Sequence, residues 1–279
     1  MRRLNIIFME SFVIILLFWA GVCSAAGWET GIKVGFDSNI NRSSNRAESD
    51  SYLSALLSYS RIPTGESRFD WIFGATVEGA AYNRYTDLSY GLVNVAPGVS
   101  YVLNRFVSFS VSPFLEAKAV KNSDQSALAV GGKVMLREQI SSAVYLGQYY
   151  FLKNSSADVD TYSFTENAVG IFAGTRLVEK VTMEIGYEYS QGDSFRALST
   201  STVGTATGGR GRGAHQSFSQ TFGEIVIREP VTRNAIGVNL NVDWSNALFS
   251  TIGYLYTSLS GDSGTSKSHS GFIGLGYRF

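Results

Sequence analysis

Hydrophobic and polar residues alternate with a period of two along most of this 279-residue chain. From Val181 to Gln191, Val181, Met183, Ile185, Tyr187 and Tyr189 fall on one side, and Thr182, Glu184, Gly186, Glu188 and Ser190 on the other. Ala235–Trp244, Phe106–Lys118 and Trp28–Asp37 repeat the scheme. As helices these segments would scatter charge around the whole circumference, whereas a strand sends successive side chains to opposite faces. The alternation predicts strands over 28–39, 50–61, 67–83, 88–102, 105–120, 126–139, 142–153, 161–176, 180–192, 233–244, 247–259 and 268–279.

The connections between these strands alternate in character. Those at Pro63–Ser67, Leu103–Arg105, Ser141–Ser142, Val178–Lys180 and Ser245–Asn246 are tight. Those at Ile40–Ser49, Thr86–Leu88, Asn122–Gln125, Asn154–Asp160 and Gly261–Lys267 are mostly longer and more polar. Bacterial outer-membrane barrels carry short periplasmic turns, long outer loops and an even strand number. The expected fold is therefore all-β, a transmembrane antiparallel up-and-down barrel of about 12 strands, with 14 as the alternative. The segment 193–232 stands apart: its Gly-, Ser- and Thr-rich first part reads as loop, and SFSQTFGEIVIREP as a strand within that external loop. Pro97 falls on the outward set of its strand, where it removes a ladder hydrogen bond and is expected to mark a bulge.

Composition narrows the class. The chain has 23 basic and 23 acidic residues, and with Arg2, Arg3 and Glu10 of the N-terminal segment set aside the net charge is −1. That gives no basic footprint for nucleic acid. Past the first residues no apolar run reaches the ~20 residues of a spanning helix, so any crossing is made by strands. The 29 glycines, 15 tyrosines and 18 phenylalanines suit aromatic-rich hairpins.

Met1–Ala26 has a short basic start, an apolar run from Phe12 to Trp19, and small residues Ser24, Ala25 and Ala26 before Gly27. This layout predicts a signal peptide over 1–26, with a barrel domain over 27–279 and outer-membrane localisation. An N-terminal membrane anchor, or a lipoprotein acylated at Cys23, are the alternatives. Cleavage after Ala26 removes the only cysteine, leaving no thiol, disulfide or cysteine metal site.

The last residues, HSGFIGLGYRF, set Phe279, Tyr277, Leu275 and Ile273 on one face and Arg278, Gly276, Gly274 and Phe272 on the other. This end resembles the closing strand of bacterial outer-membrane β-barrels. The resemblance implies an assembly signal at Tyr277 and Phe279, read by the barrel assembly machinery. GIKVGFDSNINRSS, through Gly35, Phe36, Asp37, Ser38, Asn39 and Asn41, is similar to the opening of outer-membrane porins and, more weakly, to the barrel of surface lipoprotein assembly modifiers. Both likenesses imply a barrel set among outer-membrane lipid and lipopolysaccharide.

The inward set then carries the function. Alternation places Glu29, Asp37, Asp70, Glu78, Glu116, Glu184, Glu188 and Asp243 there, with Lys33, Arg84, Lys118, Lys133, Arg137 and Arg278. These are the expected pore-lining residues: rings of charge that set ion preference, or a paired network that fills the lumen. Tyr101, Tyr187, Tyr189, Trp244 and Tyr277 are expected at the lipid face or interface. His215 and Ser217 form an H-x-S pair similar to that of outer-membrane phospholipase A and lipid A deacylases, though the surrounding GRGAHQSFSQ departs from the phospholipase context. Asp37, Asn39, Asn41 and Asp50 lack the spacing and the glutamate of a calcium loop, so no metal is assigned, and no cofactor is expected. The leading expectation is a passive channel for ions or small polar solutes rather than an enzyme. A structural barrel that displays 193–232 or holds an extracellular or periplasmic protein partner is the second, and a lipid hydrolase the third.

Overall fold

The computed structural model describes residues 27–61, 67–198 and 216–279. Their strands are β1 (Trp28–Asp37), β2 (Asp50–Arg61), β3 (Phe69–Tyr82), β4 (Tyr90–Val102), β5 (Val107–Val120), β6 (Ala127–Gln139), β7 (Val144–Ala157), β8 (Phe164–Val178), β9 (Val181–Leu198), β10 (Gln216–Ser219), β11 (Glu224–Asp243), β12 (Leu248–Gly261) and β13 (Gly264–Arg278). Every neighbouring pair is antiparallel. β1 pairs with β13 from Glu29↔Arg278 to Asp37↔Ser270, and β9 pairs with β11, so twelve strands close into a ring while the short β10 adds to one end of β11. The chain is thus a closed twelve-stranded, all-antiparallel β-barrel.

The two faces sort as the alternation demands. Ile32, Val34, Leu53, Trp71, Tyr101, Leu115, Val130, Tyr187, Trp244, Ile273, Leu275 and Tyr277 are exposed on the outside, where the hydrocarbon would lie. In lipid every backbone group needs an internal partner, and the ring provides one down to its seam: the Phe279 N–H donates to the Trp28 carbonyl at 3.0 Å. Trp28, Phe279 and the described short turns share one end, the terminal end, which in outer-membrane barrels is periplasmic.

Three local expectations need correction. Pro97 makes no bulge. It stands opposite Pro113 across β4 and β5, so the ladder is interrupted between Val95↔Leu115 and Val99↔Val111 and then resumes in the same register. The connection at 261–267 is no long loop, because β12 and β13 continue to Gly261 and Gly264 and Gly264 takes φ 105°, which closes a two-residue hairpin. EIVIREP is not a separate loop strand. It is the far half of β11, paired from Ile225↔Leu198 onward with an equally extended β9.

Charge tests the sidedness directly. Ile273 stands at the outer face between Val34 and Ile252. Ile273→Arg is expected to destabilise the barrel by about 2–4 kcal/mol if it lies near the bilayer midplane, measured by chemical unfolding in phospholipid vesicles. The inward Ser270→Arg should cost far less.

Candidate channel lumen

The inner wall is built from aromatic rings laid flat on glycines. Tyr145 faces Gly174, Tyr149 faces Gly170, Phe172 faces Gly147, Phe114 faces Gly131 and Phe272 faces Gly253, each directly across a strand pair. A Cβ on Gly174 would sit 2.0 Å from the Tyr145 ring. Only a bare backbone lets the ring lie against the wall instead of standing in the lumen.

Lying flat, a tyrosine spans its opposite strand and reaches the one beyond. Tyr145 on β7 crosses Gly174 on β8 and donates to Glu184 on β9 at 2.8 Å. Tyr149 does the same over Gly170 to Glu188. On its other side each ring carries a cation, with the Arg137 guanidinium 4.1 Å and the Lys133 ammonium 4.5 Å from the ring centroids. Tyr90 repeats the arrangement, with Lys118 at 4.5 Å and a hydrogen bond to Glu78 at 3.0 Å. The lumen thus holds cation–tyrosine–carboxylate relays that keep both charges on the wall.

Other expected residues take separate places. Glu116 pairs with Lys153 at 2.7 Å. Glu29, Arg278 and Asp243 form a cluster at the terminal mouth, at 2.9 and 2.6 Å. Asp70 pairs with Arg61 at 3.7 Å, Lys33 stacks on Phe272 at 5.1 Å, and Asp37 accepts from the Asn39 N–H at 2.8 Å. Arg84 is not a wall residue: β3 ends at Tyr82, and Arg84 sits in the following turn, where its backbone N–H binds Asp50 and its guanidinium binds Glu48 at 2.9 Å. Asp50 likewise organises that turn, accepting from the Tyr85 N–H at 2.8 Å.

Pattern reading missed the inward Tyr90, Tyr145 and Tyr149, the lysine of the Lys153–Glu116 pair, and Arg233, which joins Glu166 at 2.6 Å and also Glu188. Lys153, Glu166 and Arg233 lie on the inward set of their strands, so the alternation contained the signal. It could not show that a tyrosine reaches two strands away.

The far mouth is roofed. Beyond Arg233 and Gly192, β9 and β11 continue as an extension, and the turn after β10 brings Phe222 to 5.8 Å from Tyr85 and Thr221 to 3.1 Å from Asn122. Those partners belong to the β3–β4 and β5–β6 connections, so the hairpin leans across the opening. Tyr162, Ala197 and Val226 form its small buried core, with Tyr162 and Phe195 edge to face at 5.4 Å. The Tyr85 phenol is pushed up to about 12, first by burial and then by its hydrogen bond to Glu48. A tyrosine pKa raised above its unfolded value stabilises fully below pH 10 and loses that contribution as pH rises through about 12, so this contact is present throughout the physiological range.

One ion pair locks the roof. Arg196 is 0% and Glu229 5% exposed, and their side chains meet at 3.0 Å. Arg196 also donates to the carbonyls of Gly264 at 2.6 Å and Arg42 at 3.3 Å, while Glu229 accepts from the Ser263 hydroxyl and N–H. The extension, the β12–β13 hairpin and the β1–β2 loop are thereby held at one point. That loop folds inward, with Asn39, Asn41 and Ser43 buried and the Asn41 carbonyl accepting from the Ala197 N–H at 3.1 Å.

His215 of the H-x-S pair lies outside the described residues. Ser217 lies on β10, opposite Val226 in the roof, and His269 faces outward against Tyr254, 2.7 Å from its hydroxyl.

Two substitutions probe this construction. Arg196→Ala leaves Glu229 buried without its cation and is expected to cost about 3–5 kcal/mol of local stability, read as faster hydrogen exchange over 194–198 and 224–230 than in the barrel wall. Gly174→Val should drive Tyr145 off the wall and break its bond to Glu184, costing about 1–3 kcal/mol in chemical unfolding.

No family model and no curated protein matches the chain. Solved structures do share its fold. An outer-membrane channel from Pseudomonas putida F1 aligns with TM-score 0.57 at 9% identity, over 92% of this chain and 97% of that one. The KdgM porin, solved with disordered oligogalacturonate, aligns with TM-score 0.52 at 11% identity over 90% and 99% of the two chains. The NanC porin gives TM-score 0.51 at 13% identity over 90% and 100%. This chain has the barrel fold of outer-membrane porins and channels.

Proposed function

We propose that this protein is a passive outer-membrane channel for ions or small polar solutes, gated at its far, extracellular mouth. The observation that carries the reading is the wall itself: aromatics lie flat on glycines and charges are held in pairs and relays, so polar side chains line the lumen without filling it. A lumenal space of about 470 Å³ remains beside Phe114, Glu116, Lys133, Phe151 and Lys153. Transport would follow this charged lining with no chemical step. The expected pore-lining set keeps its role here, apart from Arg84, which serves the far turn. Cleavage after Ala26, membership in the outer membrane, and recognition of Tyr277 and Phe279 by the assembly machinery belong to the same reading.

The roof gives the second reading its support, since a covered mouth also suits a barrel that presents 193–232 to a protein partner. Deleting 199–215 separates the two. A channel keeps or gains conductance, whereas a display barrel loses its partner.

Planar-bilayer recording of the refolded 27–279 chain is expected to show discrete conductance steps, with Arg196→Ala spending more time open than the wild type. Silence from both proteins would sink the channel.

A further inference from the structure

Beneath the inward-folded β1–β2 loop lies a second cavity, of about 220 Å³, bordered by Asp37, Arg42, Glu166, Arg233, an Asp193 held by Arg228 at 2.8 Å, and a set of serine and threonine hydroxyls from β8, β9, β12 and β13. We propose that this cavity is a binding site for a small hydroxylated carboxylate, with Arg42 as the residue that takes the anionic group. The inference deepens the channel reading by giving its solute a chemical class.

Arg233, Arg278 and Arg196 each meet a carboxylate, and Arg137 lies on the Tyr145 ring whose hydroxyl reaches Glu184, while Arg42 forms no ion pair among the described residues. Its one side-chain hydrogen bond is from Nη1 to the Ser194 hydroxyl at 2.5 Å, and the rest of the guanidinium lies over the Phe195 ring, 4.7 Å from the centroid. The carboxylates that act on it electrostatically are engaged elsewhere. Glu166 binds Arg233, and Asp37 accepts from the Asn39 N–H and the Ser268 hydroxyl. Asn41 and Ser43 on either side are buried, while Arg42 keeps accessible surface and lines the cavity.

The backbone is arranged to put it there. Arg42 is the one non-glycine residue with positive φ among the described residues, at 54°, a conformation that costs an L-residue roughly 1–2 kcal/mol. Asn39 holds the turn through the Ser43 and Lys267 carbonyls at 2.9 and 3.0 Å, and Asn41 through the Arg46 carbonyl at 2.9 Å. A guanidinium with no carboxylate in direct contact, held in a left-handed turn, is a preorganised fork for a carboxylate, and the surrounding hydroxyls can bond the remaining oxygens of the same solute.

The test is isothermal titration of the refolded 27–279 barrel with gluconate, and with sorbitol, which has the hydroxyls but no carboxylate. Wild type is expected to bind gluconate and not sorbitol. Arg42→Gln should weaken gluconate at least roughly tenfold and Arg42→Lys should recover part of it. Thr257→Asp adds a carboxylate to the same cavity without touching the β1–β2 loop, and should abolish binding even if the Arg42 variants fold poorly. Equal binding by wild type and the Gln or Asp variants, equal binding of sorbitol, or no binding of gluconate to wild type would each overturn the proposal. A barrel that binds gluconate through Arg42 but passes no current keeps the site and loses the channel; conduction without Arg42-dependent binding does the reverse.

Discussion

Every backbone N–H and C=O that enters hydrocarbon needs a partner, and this requirement organises the molecule from its seam outward. The nine residue pairs from Glu29↔Arg278 to Asp37↔Ser270 turn a sheet with two open edges into a ring with none. Once the ring is closed, alternation has a physical meaning at each strand: one set of side chains meets lipid, the other a shared interior. The prolines show how firmly the register is held. Pro97 and Pro113 face each other and remove ladder bonds from the same spot, yet the pairing on either side stays in step.

Closure would leave a lumen crowded with aromatics if the rings stood upright. Glycine opposite each ring removes the Cβ that would hold it away from the wall, so the ring covers backbone and the space above it stays free. The same geometry lengthens the reach of a tyrosine hydroxyl by one strand. Carboxylates on β9 thereby become coupled to cations on β6 through Tyr145 and Tyr149 on β7. Charge is retained in the lumen without either partner standing free in the middle, which suits a lining that solutes pass along.

The far mouth follows a different logic. There β9 and β11 leave the membrane and lose the lipid that specified their outer face, so both faces can bury, as Arg196 and Ala197 do on successive residues. The Arg196–Glu229 pair then ties three connections together. A buried pair of this kind favours one arrangement over others more than it adds net stability, because desolvation offsets most of the attraction. That property suits a roof with a defined closed state.

The chain's own sequence determined the barrel. Period-two alternation, an even strand count and an aromatic C-terminal end are local or additive signals, and lipid and lumen impose them on each strand independently. Most of the inward charges were legible for the same reason, as were the outward Tyr101, Tyr187 and Trp244. What the sequence left undecided are contacts between residues far apart in the chain. Arg84 follows the alternation of β3 but falls just past its end, where an Asp50 carboxylate captures the turn. The β1–β2 loop reads as an outer loop, and only the closed ring offers the concave interior into which it folds. Arg196 lies in a stretch whose composition suggests loop, and Glu229 in a segment that reads as a strand set apart in that loop, yet pairing between β9 and β11 continues through both. The direction in which Arg42 points depends on a left-handed turn fixed by Asn39 and Asn41, whose partners at Lys267 and Glu224 lie about 180 residues or more away. Such contacts exist only after the barrel has closed, and no local pattern encodes them.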